Sequence, residues 1–172
     1  SAPSPCMMFK TPSGNCVVAK PSEITPVTAY LLSTWVKEAG FPDGVLNIIH
    51  GLGAEVGDAL VRHPKIAAVS FTGGTATGAH IASVTAPRFK KLSLELGGKN
   101  AAIIFDDCDF EDALATTMRS SFANQGQICL CGSRILVEKS IYTRFRDALV
   151  SKARKMKVGD PMDPKTKTGA VV

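Results

Sequence analysis

Short apolar runs alternate with amphipathic stretches over connections of a few residues, and this rhythm limits the fold more than any other feature of the chain. NCVVAK, from Asn15 to Lys20, reads as a buried strand stopped by Pro21. Thr25 and Pro26 offer an N-cap and a first-turn proline for a helix through about Ala39, with Gly40 as its terminator. Val45 to Ile49 reads as a strand, Ala54 to Arg62 as a helix, Ala67 to Phe71 as a strand, Thr75 to Val84 as a helix and Leu92 to Leu96 as a strand. Strands that alternate with helices in this way predict an α/β fold whose sheet is parallel and whose crossovers are right-handed.

After Gly97 and Gly98 the rhythm restarts. Ala101 to Phe105 and Ile135 to Glu138 read as strands; a helix introduced by Asp109 runs from Phe110 to about Asn124, and an amphipathic helix from Ile141 to about Lys155. The closing GDPMDPKTKTG is turn-rich. Residues 1–13, SAPSPCMMFKTPS, carry three prolines and read as an irregular leader. The boundaries expected are therefore 1–13, 14–97 and 98–172.

Composition excludes several classes. No apolar run approaches the roughly 18 residues of a membrane span, and no signal-peptide pattern opens the chain, so no membrane partner is expected. Five cysteines, at 6, 16, 108, 129 and 131, are odd in number and follow no disulfide framework, which fits a reducing, cytoplasmic setting. Cys129 and Cys131 form a C-x-C pair with no second pair after it, and the three histidines are scattered, so no metal is expected. The net charge of +5 is spread along the chain apart from Lys152 to Lys157, which reads as a solvated helix face; no nucleic-acid motif accompanies it.

The residues that invite chemistry fall into three groups. Cys129 follows a Gly-Gln turn between a helical pattern and a strand-like run, a position suited to a nucleophile, although a lone free cysteine is more often a buried structural thiol. Lys20 and Glu23 stand just past the end of a strand, where ligands bind in open α/β sheets; alone they read more readily as a solvated lysine and an acid answering a helix dipole. SFTGGTATG places Gly73, Gly74 and Gly78 at a strand-to-helix turn, where backbone N–H groups can approach a pyrophosphate, but it is not a G-x-G-x-x-G fingerprint, and glycines at such a turn are often only structural.

KPSE (20–23), SFTGG (70–74), LELGGKN (94–100) and GQICLCGSR (126–134) occur in the order found in the aldehyde dehydrogenase superfamily, which the chain resembles from about Gly14 to Val172. Within it, KKLSLELGGKN, RSSFANQGQICLCGSR and KSIY are most similar to the 2-aminomuconate-semialdehyde dehydrogenase branch. The resemblance implies a Rossmann-like NAD-binding domain, partial here, over 14–97 and the start of a catalytic domain over 98–172. It implies oxidation of a small aldehyde, a semialdehyde such as 2-aminomuconate semialdehyde, to a carboxylic acid, in a homo-oligomeric parent. Cys129 would be the nucleophile and Glu95 the general base that makes hydrolysis the second half of the reaction. Lys20 and Glu23 would meet the adenosine ribose, Glu23 favouring NAD over NADP. Gly73, Gly74 and Gly78 would lie by the pyrophosphate, and Gly97 and Gly98 would allow close approach of the nicotinamide.

The departures matter as much. Family members are far longer, and Ser1 replaces an initiator Met, so the chain reads as a fragment. The Pro-Trp-Asn motif that supplies one oxyanion donor is absent, as is the E-x-F-G-P stretch that holds the nicotinamide ribose. Gly74 stands where a serine is common, and Cys131 where relatives have a small non-thiol residue. The competing reading is a non-catalytic product that binds NAD or a partner subunit.

Overall fold

The computed structural model describes residues 6–7, 16–166 and 168–170. It divides into two compact units, with the division between Gly97 and Gly98.

The first unit is built on a five-stranded sheet in the order β3-β2-β1-β4-β5, with β1 at Cys6–Met7, β2 at Val17–Lys20, β3 at Leu46–Ile48, β4 at Ala68–Gly73 and β5 at Lys91–Leu96. β2 pairs with β3 and β4 with β5 in parallel, as α/β alternation requires. The sheet is not wholly parallel, however: β1 lies antiparallel between β2 and β4. Two residues of the stretch read as an irregular leader are thus in the sheet, and two residues are too few for any periodicity to announce them. The turn at Gly14 and Asn15 and the rest of that stretch lie outside the described residues.

Helix α1 (Val27–Glu38) carries the chain from β2 to β3, α2 (Asp58–Arg62) from β3 to β4, and α3 (Thr75–Thr85) from β4 to β5. The chain therefore winds one way from β2 and the other way from β4. Right-handed crossovers then place α1 on one face and α2 and α3 on the other. The second face is the one that is filled. Val69 and Phe71 of β4, two residues apart and so on one side of the strand, bury against Val61 of α2 and Ile81 of α3, with Leu94 and Leu96 of β5 alongside. Burial of each such side chain stabilises the fold by about 1.5–3 kcal/mol. Gly78 is buried where α3 crosses β5; a Cβ there would stand 2.6 Å from Leu96 Cδ2. Helix α1 has no buried residue, and Tyr30, Leu32 and Trp35 are exposed.

Two local expectations need correction. Thr25 does not cap α1: Pro26 occupies the cap position with no side-chain bond, and Thr25 N donates instead to Ser22 O at 3.2 Å. The stretch Ala54 to Arg62 is not one α-helix. It opens as a π turn over Gly53–Gly57, because Leu52 O accepts from the N–H groups of Glu55, Val56 and Gly57 in succession. At the other end of α2, the buried Lys90 Nζ donates to Val61 O and His63 O, both at 2.7 Å, and closes carbonyls the helix leaves open. Loss of solvent, with the charge of Arg88 second, lowers the Lys90 pKa.

The second unit holds a parallel pair, β6 (Ala101–Ile104) and β7 (Arg134–Val137), with helices α4 (Phe110–Phe122) and α5 (Tyr142–Arg154). Asp109 caps α4 as expected, its carboxylate accepting from Asp112 N at 3.0 Å. Phe145 of α5 is fully buried and meets Phe110 edge-to-face at 5.6 Å, with Arg144 stacked 3.8 Å over the Phe110 ring. No helix among the described residues is long and apolar enough to cross a membrane.

Candidate active site

The carboxyl ends of β2 and β4 are Lys20 and Gly73, and they flank the place where the winding direction of the first sheet reverses. In doubly wound sheets that reversal opens a crevice outside the strand ends. Of the sequence-predicted residues, Lys20 ends β2, Gly73 ends β4, Gly74 precedes the first residue of α3, and Glu23 stands beside Lys20, whereas Gly78 lies inside α3 and is buried against Leu96 of β5. Glu95 is the penultimate residue of β5, pairs with Thr72 of β4, and projects away from the core-facing Leu94 and Leu96 into an exposed position.

Lys20 is buried, and its ammonium donates to the carbonyls of Pro21 and Gly51, each at 2.8 Å. Glu23 Oε2 stands 3.5 Å away, with its side chain about one-third exposed. The two carbonyl bonds are short and the carboxylate contact is long, so Glu23 is the freer of the two to accept from a hydroxyl pair. The Gly51 carbonyl, 31 residues away in sequence, had no signal in the chain that would link it to Lys20.

Helix α3 opens at Gly74, whose extended backbone supplies no side-chain cap, and a Cβ at Gly74 would meet no atom within 4 Å. The first-turn N–H groups of α3 thus receive no side-chain cap, and the positive end of the helix dipole lies at this terminus. Phe71 lies against the adjacent Gly73, where a Cβ would stand 2.4 Å from the ring. The edge thus presents a partly exposed carboxylate at Glu23 and a helix start without a side-chain cap at Gly74. At Gly97 a Cβ would likewise meet nothing within 4 Å.

Cys129 stands in the second unit, exposed, while Cys131 is buried. Ahead of it Asn124, Gln125 and Gly126 all have left-handed backbones, with φ of 48°, 57° and 71°. Such a run is costly for the two non-glycine residues, and a Cβ at Gly126 would stand 2.9 Å from Ser121 O. The run reverses the chain at the end of α4 and delivers it into a tight turn, Ile128 to Cys131, closed by Cys131 N donating to Ile128 O at 2.9 Å. In a trans peptide the carbonyl and the N–H point in opposite directions. Since Ile128 O faces into the turn, Cys129 N–H faces out of it, and it has no acceptor among the described residues. Asn100, to which the sequence assigned no role, donates from Nδ2 to Cys129 O at 2.7 Å.

Residues 7–172 match the aldehyde dehydrogenase family, and the chain belongs to it. It is 56% identical over 160 residues to the 2-aminomuconic semialdehyde dehydrogenase of Danio rerio and 54% identical to that of Homo sapiens; each alignment covers 93% of this chain. The betaine aldehyde dehydrogenase of Staphylococcus aureus, solved in complex with NAD+, superimposes with a TM-score of 0.85 at 46% identity over 90% of this chain. HpcC of Thermus thermophilus superimposes with a TM-score of 0.87 at 43% identity over 92%. The chain spans about a third of the length of these relatives, 33% of the first two and 31% of the solved structures.

Proposed function

We propose that the chain carries part of the machinery of an NAD-dependent aldehyde dehydrogenase, with residues 14–97 as part of the cofactor domain and 98–172 as the start of the catalytic domain. The observation that carries this reading is Cys129, an exposed thiol in a pinned turn whose own N–H faces outward with no acceptor among the described residues. A thiolate there adds to an aldehyde carbon and forms a thiohemiacetal, and the outward N–H of Cys129 donates to the oxygen that gains charge. When bound, NAD+ would supply the hydride acceptor for this oxidation. Glu95 takes a proton from water, the resulting hydroxide attacks the thioester, and the carboxylic acid departs as Cys129 returns to thiolate.

Glu23 would accept from the adenosine ribose, and the start of α3 at Gly74 would face the pyrophosphate; the uncapped helix terminus supports that fit. The substrate favoured is a semialdehyde that carries a carboxylate, of the kind named for the Danio rerio and Homo sapiens relatives. The parent would be a cytoplasmic homo-oligomer. The direct test is NADH formation by the chain with a panel of aldehydes, beside Cys129→Ser. Turnover lost in the variant supports the reading; equal NADH from both sinks it.

A second reading has its own observation. The apolar residues Tyr30, Leu32 and Trp35 of α1 are exposed, as in a scaffold that works by binding NAD or a partner subunit without turnover. It predicts a rise in melting temperature with NAD and no NADH from any aldehyde.

A further inference from the structure

Asn100 lies between the Gly97–Gly98 pair and β6. Its backbone carbonyl accepts from Arg134 N at 3.1 Å and so prolongs the pairing of β6 with β7. Its side-chain amide donates to Cys129 O at 2.7 Å and also reaches Cys131 O at 3.4 Å. Both acceptors are carbonyls of one tight turn, so the orientation of the amide is fixed by its partners.

A peptide moves as a rigid plane, and the backbone of a residue is set once both planes that flank it are held. The plane before Cys129 is held through Ile128 O by Cys131 N, and the plane after it through Cys129 O by Asn100. The far side of the turn is fixed to α4: Gly132 N donates to Ser120 O at 3.1 Å, and Ser121 Oγ donates to Gly132 O at 2.8 Å. Every one of these contacts lies within the second unit. The backbone of Cys129 is thus restrained on both sides, while its side chain makes no hydrogen bond with a described residue.

We propose that Asn100 is the positioning residue of the Cys129 turn, holding the thiol and the outward N–H of Cys129 in one arrangement before any aldehyde arrives. The inference rests on Cys129 as nucleophile, and it assigns Asn100 no contact with substrate. Preorganised donors act in catalysis because they need no rearrangement as charge develops.

The test is iodoacetamide labelling of the full 172-residue chain, with peptide fragmentation to separate Cys129 from the buried Cys131. Asn100→Leu keeps the approximate shape and removes the donor; it should raise Cys131 labelling relative to Cys129 about fivefold, the scale set by the loss of a solvent-accessible hydrogen bond. Asn100→Gln keeps an amide donor and should return the ratio toward wild type. Asp109→Ala removes the cap of α4 without touching the turn, and should leave the ratio unchanged. A ratio in Asn100→Leu within about twofold of wild type, Gln behaving as Leu, or an equal rise in Asp109→Ala would overturn the proposal. Labelling requires neither NAD nor aldehyde, so absence of NADH formation counts against the dehydrogenase reading alone.

Discussion

Lys20 Nζ donates to the carbonyl of Gly51 at 2.8 Å and so ties the end of β2 to a loop 31 residues farther along the chain. An ammonium this buried is held in place by the acceptors around it, here the carbonyls of Pro21 and Gly51 and, at longer range, the Glu23 carboxylate. Lys20 therefore shapes the crevice edge before it meets any ligand.

Lys20→Met should destabilise the chain and remove NAD binding together. A hydrogen bond from a charged donor nets about 1.5–3 kcal/mol, and a chain of this size loses about 2–4 °C of melting temperature per kcal/mol. Glu23→Gln, at a contact of 3.5 Å, should leave the melting temperature nearly unchanged while it weakens the discrimination between NAD and NADP. Calorimetry with and without each dinucleotide checks both. A Lys20→Met chain as stable as wild type would show that the Gly51 carbonyl is satisfied in another way.

Gly73→Ala sets two effects against each other. The methyl group reduces the entropy of the unfolded chain, worth about 0.4–1 kcal/mol in favour of folding. Against that, it enters space held by the Phe71 ring, which is itself locked in the core beside Val69 and Ile81. Overpacking costs about 1–3 kcal/mol, so the net change should be destabilising. Chemical denaturation of Gly73→Ala beside Gly74→Ala, which meets no such neighbour, separates the steric term from the glycine effect.

Acid sensitivity should depend on Asp58. Hydrogen bonds from Arg62 at 2.6 Å and His80 at 2.7 Å hold its pKa below the ordinary value of 3.8. A depressed carboxylate stabilises the fold above the pKa it has when unfolded, and that contribution is lost as pH falls through the lower folded value. Asp58→Asn should melt below wild type at neutral pH, and the gap should close as the pH passes below 3.8. Melting curves taken across that range decide; a gap independent of pH would mean the variant acts through packing and not through charge.

In the second unit the decisive side chain is Phe145, which is fully buried against Phe110. Phe145→Ala should cost about 3–5 kcal/mol, a large share of what a unit of this size possesses. Amide exchange should show α4 and α5 losing protection while the strands of the first sheet keep theirs. Equal loss in both units would contradict the division at Gly97 and Gly98.

Some of this was written in the chain and some was not. The alternation of apolar runs placed β2 to β7 and the longer helices to within a few residues, because burial of one face imposes a period that survives in the sequence. Asp109 announced the start of α4, since a cap acts on N–H groups two or three residues away. The motifs drew attention to Cys129, Lys20, Glu23, Gly73 and Gly74 as candidates, and the structure places these at strand ends, helix starts or turns. What the sequence could not hold is whatever depends on partners distant along the chain. β1 is a strand only because β2 and β4 lie on either side of it. The π turn at Gly53 arises from a choice of acceptor that no residue pattern encodes. The bond from Asn100 to Cys129 spans 29 residues, and the one from Lys20 to Gly51 spans 31. Local period and local capping are properties of neighbours, and sequence alone determined them; which carbonyl meets which donor across the fold was decided only when the chain had closed on itself.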